Sequence, residues 1–218
     1  MAEINLLSSL PKSKRSITER KEAKTEDHVK ISRMYGKEYF DGDREYGYGG
    51  YKYDGRWVSV AKDIKKHFEL NDGEKVLDVG CAKGFLVKDF FDLGIQSLGI
   101  DISKYAIDNS LLEIKDKLII GSADKLPFPD DTFDAVVSIN TIHNLDREKC
   151  KQAINEMQRV SKNKKKLFIQ VDSYLNEEQK KIFESWVLTA KFYGYPKEWI
   201  ELFKECDYEG DWNWTIIN

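Results

Sequence analysis

The sequence predicts an α/β fold with an open, mostly parallel sheet of six or seven strands and helices on both faces. Three observations carry this. Strand-length apolar runs alternate with segments of helical period from residue 75 onward. Several of these runs are apolar at consecutive positions, as suits strands covered on both faces. A glycine-bearing turn joins the first run to the first following helix. At 218 residues the chain can fill a single core of this kind.

Taken in order, residues 1–35 are polar, with charges of both signs and no apolar stripe, and read as a flexible arm. Residues 36–70 form a second unit, a lid and leading helix. Tyrosines interleave with glycines up to Arg56, and then Trp57, Val60, Ala61, Ile64 and Phe68 recur at helical spacing. Asn71-Asp72-Gly73 stops that helix and opens the main domain, residues 71–218. Strands are expected at 75–79, 96–100, 118–120, 135–139 and 167–171. Helices are expected at 85–93, from a Ser103 cap to about 114, and at 147–160. Two further helices, 176–192 and 196–206, precede an alternating last strand at 211–217. Pro196 suits a first helical turn.

Composition narrows the function. Net charge is −3, and the basic clusters Lys12-Ser13-Lys14-Arg15 and Lys162 to Lys166 are short, so a nucleic-acid partner is not expected. Cys81, Cys150 and Cys206 are odd in number and lack metal-type spacing, which implies a reducing compartment and no metal site. No run approaches a membrane span of roughly twenty apolar residues. Cytoplasmic location is the simplest expectation.

The informative stretch is Val76-Leu77-Asp78-Val79-Gly80-Cys81-Ala82-Lys83-Gly84. Such a turn sits where ligands bind in open α/β sheets, and Gly80 and Gly84 let backbone approach a ligand. A dinucleotide fingerprint started at Gly80 would place its later glycines at Ala82 and Phe85, which disfavours a pyrophosphate. Asp78 lies in an otherwise apolar strand, where a carboxylate is costly unless compensated. A ligand ammonium group would compensate it; so would a lysine or backbone amides.

These residues resemble motif I of the class I S-adenosylmethionine-dependent methyltransferases, a Rossmann-like fold, with Ala82 replacing the usual middle glycine. Gly99-Ile100-Asp101-Ile102-Ser103 is similar to that family's second-strand end. It implies that Asp101 accepts the ribose hydroxyls beside Ile102; helix capping is the alternative role. Gly121 to Asp134, with Ser122-Ala123-Asp124 and Pro127-Phe128-Pro129, resembles the methyltransferase type 11 group, which includes the ubiquinone/menaquinone-type C-methyltransferases. There the loop folds over adenine, and Ser122 stands where Asp is commonest. Adenine contact is left to Ser122, the Ala123 amide or Asp124. The resemblance also implies S-adenosyl-L-methionine as cofactor and an antiparallel pair ending the sheet. The sequence offers one strand there, so either the sheet has six strands, or an edge is covered by the N-terminal arm or by a partner such as a second copy of the chain.

Methyl transfer needs alignment, exclusion of water and sometimes a base. The resemblance implies that Ser138 to Asn144 form the floor beneath the methyl group, with Asn140 beside the cofactor; His143 is there either as candidate catalytic base or as a hydrogen-bonded residue that shapes the pocket. Arg56 is the candidate clamp for the methionine carboxylate or an anionic substrate, and the tyrosines at 46–57 could wall the sulfonium. Trp186, Tyr193, Tyr195 and Trp199 would face them. The expected activity is methyl transfer to oxygen, nitrogen or carbon of a small molecule, by analogy in bacterial surface-sugar or secondary metabolism. A protein or RNA methyltransferase and a non-catalytic cofactor-binding subunit are the alternatives. The Asn-Pro-Pro-Tyr type motif of amino-nitrogen methylation is absent, since Asn140-Thr141-Ile142-His143 occupies its place.

Overall fold

Six strands, β1 (Lys75–Val79), β2 (Gln96–Asp101), β3 (Leu118–Ile120), β4 (Ala135–Ile139), β5 (Leu167–Ser173) and β6 (Asp211–Ile216), pair in the order β3-β2-β1-β4-β5-β6. Every pairing is parallel. This computed structural model describes residues 1–11 and 24–217, so the Lys12 to Arg15 cluster lies outside the described residues. The α-helices are α1 (Glu26–Ser32), α2 (Lys37–Asp41), α3 (Val58–His67), α4 (Phe85–Asp92), α5 (Lys104–Asp108), α6 (Arg147–Val160), α7 (Glu177–Trp186) and α8 (Pro196–Glu205).

Side chains of a strand alternate between faces, and the two large core clusters divide on that period. Leu77, Val79, Val136, Leu167, Ile169 and Val171 pack with Cys150, Ile154 and Met157 of α6 and with Trp199, Leu202 and Phe203 of α8. Val76, Val137 and Phe168 pack instead with Val60 and Ile64 of α3 and with Leu86 and Phe90 of α4. Asp78 has the parity of Val76 and so faces the α3–α4 side. Because β1 pairs β2 on one side and β4 on the other, the chain reverses its direction of progress at β1. That switch point opens a crevice beyond the carboxyl ends of β1 and β4.

Four expectations are corrected. β6 runs parallel to β5, with Phe168 opposite Asp211, where the resemblance implied an antiparallel pair. Helices α7 and α8 return the chain to the amino end of the sheet, so β6 enters in the common direction. The expected 103–114 helix breaks after α5, where Asn109 Nδ2 donates to the Tyr105 carbonyl at 2.9 Å, and resumes as a 3₁₀ turn at Leu112–Lys117. The expected 176–192 helix ends at Trp186 because Val187 turns extended and the Lys191 and Phe192 amides donate to the His143 carbonyl.

The fourth concerns the arm. Its first residues are fixed along β6: Trp212 donates to the Ala2 carbonyl at 3.0 Å and Ile4 to the Trp212 carbonyl at 2.8 Å. Leu6 and Leu7 are buried against the α3–α4 cluster. The chain's own start thus covers the exposed sheet edge. Further on, α1 is capped by Thr25, which accepts the His28 amide.

Candidate functional site

The turn after β1 adopts a conformation that few residues tolerate. Gly80, Ala82 and Gly84 have φ of 87°, 51° and 75°, all left-handed. The two glycines are also sterically required. A Cβ on Gly80 would stand 2.0 Å from Thr141 Oγ1, and one on Gly84 2.6 Å from Ile114 Cδ1. Thr141 begins the loop after β4, so the two crevice walls meet at Gly80.

Asp78 and Asp101 end their strands beside this turn. Asp78 is 5% exposed, and no described residue gives its carboxylate a hydrogen bond or ion pair. Burial pushes its pKa up to about 7, and the Asp101 charge adds to the rise. Neither the lysine nor the backbone amides that could have compensated it are present among the described residues. Asp101 is half-buried, and burial raises it too. Its Oδ2 accepts the Ala82 amide at 2.7 Å and its Oδ1 the Ser103 amide at 2.8 Å, which oppose that rise. The cap of α5 is Ser103 itself, through Ala106 N. Each Asp101 oxygen retains acceptor capacity for a ligand hydroxyl. Ile102, 59% exposed, presents an apolar surface next to it.

Across the crevice, Ser122 donates to Asp124 Oδ1, and Lys149 Nζ lies 3.3 Å from Asp124 Oδ2. Burial opposes ionisation of Asp124, yet these two partners outweigh it and hold the carboxyl below its usual range. Ser122 and Asp124 are thus one unit, with Ala123 between them. Asn140, at φ 52°, donates its amide to the Gln170 carbonyl at 2.8 Å. Its Oδ1 accepts Thr215 Oγ1 at 2.7 Å, which leaves its side-chain NH₂ as the free donor.

Two expected residues have other roles. His143 is buried, and its Nδ1 accepts the Asp172 amide at 3.0 Å, so Nε2, 3.5 Å from Asp172 Oδ2, carries the proton. Burial holds its pKa below the usual value, and Asp172 only partly offsets this. A neutral imidazole with its one lone pair committed to a backbone amide has no site for a substrate proton. In this arrangement His143 offers no free lone pair to a substrate, where the sequence reading had it as candidate base. Arg56 presents its guanidinium fork to Asp54, with both side chains 48% exposed, so the expected carboxylate clamp is already engaged. Trp199 is core, its Nε1 donating to the Asp172 carbonyl. Tyr193 and Tyr195 pack with Tyr174 and Phe183 in a small satellite cluster beside α7.

Tyr51, from the expected 46–57 wall, and Tyr35, which the sequence reading passed over, complete the site. Tyr51 stacks on Phe85, ring centroids 4.7 Å apart, and is buried close enough to Asp78 that this charge helps raise its phenol, after burial itself. The Tyr35 carbonyl accepts Ser103 Oγ at 2.6 Å. Both place the Tyr/Gly segment directly over the turn. Its unusual composition was the available signal; which tyrosine faces which carboxylate was not readable.

The donor set suits an adenosyl group carrying a charged amino-acid tail. Asp101 would take the ribose, Ile102 and the Ser122–Asp124 loop would flank the base, and the unpaired Asp78 would answer an ammonium group. No paired phosphate is served, because two carboxylates stand where cations would be needed.

Comparison with known proteins agrees. The profile of a family described as "Methyltransferase domain" matches residues 77–169. A sterol 4-C-methyltransferase of Caenorhabditis elegans is 28% identical over 173 residues, 69% of this chain and 50% of that protein. An uncharacterised protein of Methanocaldococcus jannaschii is 36% identical over 121 residues, 53% of this chain and 49% of that one. The chain thus spans about half the length of these curated relatives. Among solved structures, the YcgJ protein of Bacillus subtilis superposes with a TM-score of 0.53 at 22% identity, covering 67% of this chain and 66% of that one. A Haloferax volcanii methyltransferase, solved with its Trm112 activator, gives 0.55 at 24%, covering 69% and 67%. These likenesses show the fold. Motif and sheet order coincide with the family match, which places a methyltransferase-domain likeness on residues 77–169.

Proposed function

We propose that the chain transfers the methyl group of S-adenosylmethionine to a small organic acceptor. The observation that carries this reading is the buried, unpartnered carboxylate of Asp78 at the glycine turn, next to Asp101 with its spare acceptor capacity. When bound, the cofactor supplies a methyl group already activated on a sulfonium. The protein's own work is to align, enclose and desolvate. Asp101, Ile102 and the Ser122-Ala123-Asp124 loop hold the nucleoside; Asp78 and the turn from Gly80 to Gly84 hold the amino-acid tail. Asn140 offers its NH₂ at the floor, and the Tyr35 and Tyr51 segment closes the top. Positioning of this kind can be worth roughly 7–11 kcal/mol of barrier.

The engagement of His143 Nδ1 by the Asp172 amide supports an acceptor whose nucleophile needs no strong base. The sterol methyltransferase likeness supports a small molecule, although its alignment leaves half of that protein unmatched. Bacterial surface-sugar or secondary metabolism rests on analogy alone.

The test is titration calorimetry with S-adenosylhomocysteine, followed by a screen of labelled methyl transfer onto sterol, phenol, amine and sugar acceptors. Absence of binding, or preference for NAD, overturns the reading. One observation favours a second reading, cofactor binding without turnover: the missing base. Tight binding with no transfer to any acceptor would support it.

A further inference from the structure

Lys83 lies inside the cofactor turn, between two left-handed residues, and no step described so far uses it. It is 6% exposed. Its ammonium group sits 2.8 and 2.6 Å from the two carboxylate oxygens of Asp41, the last residue of α2. The same carboxylate accepts the Tyr105 hydroxyl of α5 at 2.7 Å and the Tyr51 amide at 3.1 Å. One acid therefore gathers the cofactor turn, the helix after Asp101 and the tyrosine lid. Charge-assisted bonds of this kind are the strong ones, and removing water around them strengthens them further.

Around this knot the lid packs as a unit. Phe40 is buried, with its ring stacked near Tyr48 at 5.8 Å and Tyr105 at 6.3 Å. Tyr51 covers Phe85, the residue that follows the turn. Beyond the packed part, the backbone bends at Gly50 and Gly55, where φ is 102° and 74° and a Cβ would meet nothing. Left-handed glycines in open space are places where chain direction can change at little steric cost.

We propose that Lys83 and Asp41 are positioning residues that tie the lid, residues 37–55, to the cofactor turn, so that the lid holds bound cofactor in place and release requires this pair to part. The proposal rests on the cofactor reading above. The pair acts through the lid, since Lys83 points to Asp41 and away from the carboxylates that would meet the ligand.

The test compares wild type with Lys83→Met, Asp41→Asn and the exchanged pair Lys83→Asp with Asp41→Lys, by stopped-flow displacement of S-adenosylhomocysteine. Trypsin cleavage at Lys52 and Arg56 is followed in parallel, without any cofactor. Each single variant is expected to release the ligand about tenfold faster, the scale of one charge-assisted hydrogen bond, with its association rate close to wild type and its melting temperature lowered by the unpaired buried group. The lid sites should become cleavable, and the exchanged pair should restore slow release at least in part. Asp41→Asn keeps the shape of the site and an oxygen for the Tyr51 amide, and the Tyr105 hydroxyl can turn to accept from the new NH₂, so it preserves the readout should Lys83→Met unfold. Wild-type release rates and an uncleaved lid in both single variants would overturn the proposal while leaving the cofactor reading standing. Failure of wild type to bind S-adenosylhomocysteine would overturn both.

Discussion

Asp101 Oδ2 accepts the Ala82 amide at 2.7 Å, so the carboxyl end of β2 braces the turn that leaves β1. One side chain thereby shapes the turn and faces the ligand. Asp101→Asn turns one oxygen into a donor, which must then face either the Ala82 N–H or the Ser103 N–H. We expect S-adenosylhomocysteine affinity to fall about tenfold or more, read by calorimetry.

Ala82 occupies a left-handed conformation that costs an L-residue roughly 1–2 kcal/mol. Glycine removes that strain but gives back roughly 0.5–1 kcal/mol of chain entropy. Ala82→Gly should therefore be neutral or mildly stabilising in urea denaturation, with cofactor binding retained. A clear loss of stability would mean that the methyl group of Ala82 packs productively.

Asp78 gives a pH signature. Its folded pKa of about 7 lies above the ordinary carboxylate value, so the folded chain binds more protons than the unfolded one between the two. Its contribution makes the ligand-free protein lose stability as pH rises from about 4 to 7. In Asp78→Asn that slope should flatten in thermal melts across this window, while affinity for S-adenosylhomocysteine drops. An unchanged slope would mean the carboxylate is compensated.

For His143 the sign is opposite. Its folded pKa is depressed, so the folded form binds fewer protons, and stability falls as pH drops below the unfolded value near 6.5. His143→Ala also strands the buried Asp172 amide, at a cost of about 1–3 kcal/mol. His143→Asn can supply an oxygen acceptor and should recover part of it. Neither variant should shift the pH–rate profile of folded enzyme; a lost basic limb would restore His143 as a base.

Arg56→Ala should leave cofactor affinity nearly unchanged. Its partner is Asp54 at half exposure, and such surface pairs are worth about 0–1 kcal/mol. A large drop in calorimetric affinity would show that the fork turns inward on binding.

The sequence by itself determined the alternation of strands and helices and the switch-point turn. Each depends on local signals: consecutive apolar positions in 75–79 and 135–139, a Ser103 cap, and glycines where the backbone must turn left-handed. Asp78 was conspicuous because a carboxylate in an apolar strand violates the local pattern. Tertiary structure decided everything that depends on contacts distant in the chain. Lys83 meets Asp41 across 42 positions, and His143 surrenders its lone pair to Asp172 across 29. β6 turned parallel and took the first residues along its edge, a choice set by how α7 and α8 return the chain. A side chain's residue type fixes what it can donate or accept. Only the fold fixes which partner reaches it first, and at Arg56 and His143 that partner was a neighbouring protein group.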